Sequence, residues 1–229
     1  MLSNADMRGH QAMAQFSHEL RNCLGTARSA MRVLEIRDLE LAYRKKTRKL
    51  IGRQLDQMTR LVDDLLDASL VSSGRFRLDR ARIDLRAVLD NAAEAVQFLM
   101  KQRRHSLEVC APPAPIWLNG DAARLEQVFV NLLVNAAKYT DVGGEVSVLA
   151  EPLEHEIVVR VRDNGIGISP DVLPRVFERY VQANQSTRQG GLGLGLPLVR
   201  TLVESHGGRV EAASAGVGKG SEFSVWIPK

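Results

Sequence analysis

The chain has 229 residues, long enough for two modest domains, and its 45% hydrophobic and 25% charged content is ordinary for a soluble globular protein. A formal net charge of +4 is too small to argue for nucleic acid, and the densest basic run, Arg44-Lys45-Lys46-Thr47-Arg48-Lys49, lies inside a helical pattern and reads as a solvated helix face. The two cysteines, Cys23 and Cys110, lack metal-ligand spacing, no apolar run approaches the ~18 residues of a membrane span, and no signal peptide is visible. A reduced, cytoplasmic setting fits best. If the natural protein is a membrane receptor, this sequence is its cytoplasmic part without the anchor.

The first third reads as two long helices. Apolar or small residues fall at Met13, Phe16, Leu20, Cys23, Ala27, Ala30 and Leu34, and again at Ile51, Leu55, Met58, Val62, Leu65 and Ser69. Both series step by three and four, the spacing of a heptad seam in bundled helices. The stretch near Ile36 to Tyr43 breaks the register and is the expected turn. Two helices alone bury little, so such a hairpin is expected to dimerise into a four-helix bundle.

The helical pattern stops at Ser72-Ser73-Gly74, which sets expected domains of 1–73 and 74–229. Strands and helices then alternate. The pattern predicts a strand over 75–83, a helix over 85–101 and a strand over 105–110. Asp121 can cap a helix running to about Tyr139. Two valine-rich alternating runs, 144–151 and 156–162, predict a hairpin. Ser169-Pro170 is expected to open a short helix, with serine as cap and proline at its first position. Residues 182–190 are polar and featureless, an expected mobile loop. A helix over 192–205, ended by Gly207-Gly208, precedes strands at 209–213 and 222–227. The fold class expected is α+β: the helical hairpin, then an α/β sandwich with a mixed sheet.

On the first helix, heptad numbering from Met13 places His18 at the position facing directly away from the core. Glu19 and Arg21 flank it, and Asn22 lies one turn on along the same face. A neutral imidazole exposed there has a free lone pair able to attack phosphorus, and a neighbouring carboxylate can fix its tautomer. Phe16-Ser17-His18-Glu19-Leu20-Arg21-Asn22 closely resembles the phosphoacceptor box of sensor histidine kinases. The resemblance implies that His18 is the autophosphorylation site, Glu19 its acid-base partner, and Asn22 the residue that orients water for dephosphorylating the partner. Cys23 departs from the family's usual proline. The backbone N–H is kept there and a helix kink loses its usual cause, which puts a helix-bending signal in doubt but not the phosphoryl chemistry.

Four further strings lie in the second half. On the helix after Asp121, Leu125, Val128, Phe129, Leu132, Leu133 and Ala136 form an apolar face. Asn131, Asn135 and Lys138 form a polar stripe about 60° wide. Amide oxygens are hard ligands for magnesium, and lysine neutralises phosphate charge. Asp163-Asn164-Gly165-Ile166-Gly167 follows a valine-rich strand; its carboxylate can accept from an exocyclic amine, and its glycines let backbone approach a flat base. Gly190-Gly191-Leu192-Gly193-Leu194-Gly195 runs into a helix, where bare N–H groups suit phosphate. A dinucleotide fingerprint is rejected, because a polar loop and not a strand precedes these glycines.

In order and spacing these strings resemble the ATP-binding domain shared by histidine kinases, gyrase, the related heat-shock chaperones and the mismatch-repair ATPases. The resemblance implies ATP and Mg2+ as cofactors. Asn135 is then the magnesium ligand, Asn131 and Lys138 lie near the phosphates, and Tyr139 lies beside the base. Asp163 reads adenine, Gly165 and Gly167 shape its pocket, and Gly191, Gly193 and Gly195 follow a lid. Val176-Phe177-Glu178-Arg179-Tyr180 resembles the phenylalanine box at the lid's start, and Arg188, with Thr187 in the lid, is expected to close on nucleotide. ATP-hydrolysing relatives carry a glutamate where this chain has Asn131, which cannot take a proton. The expectation is therefore a protein-histidine kinase that phosphorylates itself and passes the group to an aspartate of a response-regulator receiver domain, with phosphatase activity toward that partner. An ATPase of the chaperone or topoisomerase kind, and a nucleotide-binding scaffold that transfers nothing, are the alternatives.

Overall fold

A computed structural model describes residues 4–36, 40–73, 77–181 and 193–229. Its contacts divide the chain into two compact units between Ser69 and Leu70.

The first unit is built from α1 (Asn4–Leu34) and α2 (Leu41–Ser73). On α1 the predicted seam is covered at its centre: Cys23, Ala27 and Ala30, spaced four and three apart, are buried, and Leu20 and Leu34 are half-buried. Among the described side chains of α2, Thr47 and Leu61 are buried. Leu55 and Val62, read from sequence as seam residues of a dimeric bundle, are 53% and 44% exposed in the single chain. The reason is angular: Thr47 and Leu61, fourteen residues apart, repeat every two heptads, and Leu55 and Val62 lie one position round the helix from that line. They join Leu24 and Met31 of α1 as exposed apolar residues. The basic run at 44–49 is exposed apart from Thr47 and a half-buried Arg44, as a solvated face would be.

The second unit is a two-layer α/β sandwich. Its main sheet has the order β2-β4-β5-β7-β6, where β2 is Ser106–Cys110, β4 Glu145–Pro152, β5 Glu156–Asp163, β6 Arg209–Ala213 and β7 Ser221–Pro228. The β2–β4 pair is parallel and the others are antiparallel, so the sheet is mixed. A separate ribbon pairs β1 (Ala81–Asp84) with β3 (Trp117–Gly120) antiparallel. Helices α3 (Leu85–Arg103), α4 (Ala122–Tyr139) and α5 (Gly195–Ser205) share one core with the sheet.

Strand alternation builds that core. Val146, Val148 and Ala150 of β4, Ile157, Val159 and Val161 of β5, and Phe223, Val225 and Ile227 of β7 turn inward at period two. They meet Leu125, Val128, Phe129, Leu132 and Leu133 of α4, all at most 1% exposed. Full burial of each such side chain contributes roughly 1.5–3 kcal/mol relative to leaving it in water. The other strand positions carry Arg160 paired with Glu151, and Arg209 paired with Glu156 at 2.7 Å. The latter pair holds the Glu156 carboxyl below its usual range. No helix among the described residues is long and apolar enough to cross a membrane.

Three local expectations change. The predicted strand at 75–83 is shorter, beginning only at Ala81, and β3 goes unforeseen because it has four residues behind the Pro-rich stretch 112–115. The helix expected from Pro170 is absent. A turn leads instead to a 3-10 turn at Leu173–Arg175, since Pro174 has no N–H to offer the Pro170 carbonyl. Finally, α5 starts at Gly195, three residues later than predicted.

Candidate functional site

On α1 the helix holds His18 and Asn22 one turn apart, both exposed. The Asn22 side-chain nitrogen lies 3.0 Å from His18 Nδ1. An amide at this distance can work either way round. As a donor to Nδ1 it leaves the ring proton on Nε2, and as an acceptor from Nδ1–H it frees the Nε2 lone pair. Glu19 lies on the same helix, but its side chain is outside the described residues.

In the second unit, α4 begins where Asp121 accepts from the Arg124 N–H at 3.2 Å. Asn131, Asn135, Lys138 and Tyr139 are all half-buried on this helix, at the rim of its apolar face. Lys138 Nζ donates to Tyr139 Oη at 3.1 Å and sits 4.7 Å from that ring's centre, so the ammonium and the phenol form one unit. The chain leaves β5 at Asp163, which is 6% exposed. Gly165 N–H donates to Asp163 Oδ1 at 2.9 Å, and Ile166 N–H donates to the Tyr139 carbonyl at 2.9 Å. A Cβ on Gly165 would stand 2.3 Å from that carbonyl oxygen, so only glycine allows the two strings to meet.

The glycine string reaches the same place from the other side. Gly193 has φ +68° and its carbonyl accepts from Tyr180 N–H at 3.1 Å. That bond ties the end of the phenylalanine-box string to the start of α5. A Cβ on Gly195 would lie 3.7 Å from Asn131 Oδ1, which places the opening turn of α5 beside the polar stripe of α4. Phe177 packs edge-on against Phe223 of β7, with centroids 6.2 Å apart. Arg188 and Gly191, with the loop 182–190, lie outside the described residues.

The predicted residues Asn131, Lys138, Tyr139, Asp163, Gly165, Gly193 and Gly195 thus come together from three separated stretches of chain. They fit a nucleotide with its magnesium: a buried carboxylate for an amine, a half-buried ammonium for phosphate, and the amide of Asn135 as a hard oxygen donor on the same helix as Lys138. Sequence reading missed Ser221. Its hydroxyl donates to Asp163 Oδ2 at 2.5 Å, so both carboxylate oxygens are held. The two residues are 58 apart in sequence, and nothing local in a serine at a strand start signals the contact.

A second missed cluster supports the site from below. His206 is 3% exposed; its Nδ1–H donates to the Leu202 carbonyl at 2.8 Å, and its Nε2 accepts from the Asp121 N–H at 3.0 Å. Burial pushes this imidazole below its ordinary range, which suits the neutral form that both bonds require. Asp121 Oδ2 accepts from Asp79 N–H at 3.0 Å, and Arg80 donates to the Ser205 carbonyl at 2.8 Å. The segment ahead of β1 is thereby fastened to the start of α4 and the end of α5.

A family model described as the His Kinase A phospho-acceptor domain matches residues 10–74, and one for the histidine kinase-, DNA gyrase B- and HSP90-like ATPases matches residues 120–229. The signal transduction histidine-protein kinase BaeS of Escherichia coli is 33% identical over 227 residues, 98% of this chain and 48% of BaeS. The chain spans only 24%, 48% and 27% of the lengths of three curated relatives it matches. The solved structure of ShkA with AMPPNP is 27% identical with a TM-score of 0.70, covering 96% of this chain and 45% of ShkA. The complex of histidine kinase ThkA with response regulator TrrA, at 18% identity, shares the fold with a TM-score of 0.70 over 96% of this chain and 61% of its own. With a phospho-acceptor hairpin, an ATPase-type sandwich and relatives of one kind across nearly its whole length, this chain belongs to the sensor histidine kinases of two-component systems.

Proposed function

We propose that this chain binds Mg-ATP in its second unit, transfers the γ-phosphoryl group to His18, and then donates it to an aspartate of a response-regulator receiver domain. His18 Nε2 forms the new bond to phosphorus while the bond to the β,γ-bridging oxygen breaks, and ADP leaves. The ring proton on Nδ1 passes to an acceptor, for which the Glu19 carboxylate is the candidate on α1. Catalysis is mainly positioning with neutralisation of charge; magnesium, held by Asn135, supplies charge neutralisation at the phosphates. Lys138 and Asn131 lie on the same stripe for the phosphates, and Asp163 serves the adenine amine. The loop with Arg188, and Gly191 beyond it, would order on nucleotide and gate access.

One observation carries this reading: the exposed His18, held by Asn22, shares a chain with a nucleotide site whose α4 offers an amide rather than a carboxylate at position 131, one turn before Asn135. A water-activating base is missing there, so transfer to an amino-acid nucleophile is favoured over hydrolysis. The receiver partner follows from the family and from the ThkA–TrrA pairing. Phosphatase activity toward that partner rests on Asn22. A homodimer follows from the apolar residues left open on the hairpin: Leu24 and Met31 at 54% and 58% exposure, with Leu55 and Val62 on the other helix. Two cysteines without metal-ligand spacing support a cytoplasmic setting, either free or as the cytoplasmic part of a membrane-anchored receptor.

The test is incubation with γ-labelled ATP and magnesium beside His18→Gln. Acid-labile, alkali-stable label that is lost in the variant is the expected result. Steady phosphate release without label would establish an ATPase instead.

A further inference from the structure

The turn between β6 and β7, residues 214–220, has no part in the motifs read from sequence, yet it is stitched along the whole adenine-side loop. Gly218 N–H donates to the Ile166 carbonyl at 2.7 Å, and Gly220 N–H donates to the Gly165 carbonyl at 3.1 Å. A Cβ on Gly167 would lie 2.1 Å from the Gly216 carbonyl oxygen, and one on Gly220 would lie 2.1 Å from that of Asp163. Both glycines have positive φ, +66° and +69°. The two backbones therefore meet face to face with no side chain between them.

One side chain closes this contact. Ser214 Oγ accepts from Ile168 N–H at 3.0 Å and from Gly216 N–H at 3.3 Å, and it donates to the Gly220 carbonyl at 2.7 Å. A hydroxyl has one proton to give and two lone pairs, so this one is fully used. Its three partners are the end of the adenine-side loop, the middle of its own turn, and the residue just before Ser221. Because Ser221 then holds Asp163 Oδ2, the position of that carboxylate depends on where the turn delivers Ser221.

We propose that Ser214 is a positioning residue for the adenine pocket, fixing the backing turn so that Ser221 and Gly165 hold the Asp163 carboxylate in its base-reading orientation. The proposal rests on the nucleotide site described above. Ser214 touches no substrate, and its contribution falls on nucleotide affinity rather than on the transfer step.

The test compares the full chain with Ser214→Thr, which keeps the hydroxyl, Ser214→Val, which matches the threonine variant in shape without it, Ser214→Ala, which removes it without added bulk, and Asp163→Asn. Mg-ATP affinity is measured by titration calorimetry, KM and kcat by labelling of His18, and the fold by the nucleotide-free melting temperature. Ser214→Thr is expected to stay within about threefold of the parent. Ser214→Val is expected to lose roughly tenfold in affinity and KM, as for one buried hydrogen-bonding group, with kcat at saturating ATP unchanged. Unchanged affinity in Ser214→Val, a fall in kcat as large as the rise in KM, or loss of the folded state in Ser214→Val and Ser214→Ala alike would overturn the role. A parent protein that does not bind ATP would instead overturn the nucleotide reading itself.

Discussion

The Ser221 hydroxyl and the Asp163 carboxylate, from the ends of neighbouring antiparallel strands, meet at 2.5 Å. With the Gly165 N–H on its other oxygen, Asp163 is a buried acceptor whose orientation is set before any ligand arrives. An amine added to it makes a charge-assisted bond worth about 1.5–3 kcal/mol. Asp163→Asn is expected to weaken Mg-ATP binding by roughly ten- to a hundredfold. Equilibrium titration reads this directly, and undiminished affinity would remove Asp163 from the adenine assignment.

His18 and Asn22 make a separate prediction, because their bond concerns the acceptor and not the nucleotide. His18→Gln is expected to abolish labelling while ATP still binds. Asn22→Ala is expected to slow dephosphorylation of the phosphorylated partner at least roughly tenfold, the size of a lost water-orienting group, with His18 labelling changed by less than about threefold. Separate single-turnover assays of the two steps distinguish them. A phosphatase rate equal to the parent's would end the proposed role of Asn22.

Asp121 caps α4 through one oxygen and fastens Asp79 through the other. Asp121→Ala leaves two N–H groups without that acceptor and is expected to cost about 1–2 kcal/mol of stability. Chemical denaturation of the parent and the variant measures it. A change under a few tenths of a kcal/mol would mean water replaces both bonds.

The His206 imidazole is held neutral, with Asp121 and Arg80 as the charged groups facing it. Its folded pKa lies below the unfolded value of about 6.5, so the unfolded chain takes up the proton first as pH falls. The stability it contributes is complete above about pH 6.5 and is lost as pH drops through its folded pKa. Melting temperature measured from pH 7.5 to 5 is expected to fall more steeply for the parent than for His206→Gln, which cannot titrate. Parallel profiles would show that other groups govern the acid limb.

Much of this molecule is legible from local pattern. The apolar face of α4, the alternation of β4 and β5, and the Asp121 cap each follow from residues within one turn or one strand, and the structure places them as the pattern predicts. Asp163, Gly165, Gly193 and Gly195 were legible for another reason: each string is short, contiguous and chemically marked. Where a local rule was read without its competitor it failed. Ser169-Pro170 signals a helix start, and Leu173 N–H does donate to the Ser169 carbonyl at 3.0 Å, but Pro174 removes the donor that would continue the helix.

By itself, then, the sequence determined the element types and marked out the candidate histidine and the candidate nucleotide strings, because these depend on neighbours within about four residues. The tertiary structure alone decided what holds those strings in place. Ser221 on Asp163, Ser214 across the turn, and His206 on Asp121 join residues 58, 46 and 85 positions apart. Serine and histidine carry no periodic signal. Their partners are chosen only when β5 pairs with β7 and α5 packs on α4, since a buried polar group must find its hydrogen bonds wherever the fold has carried it.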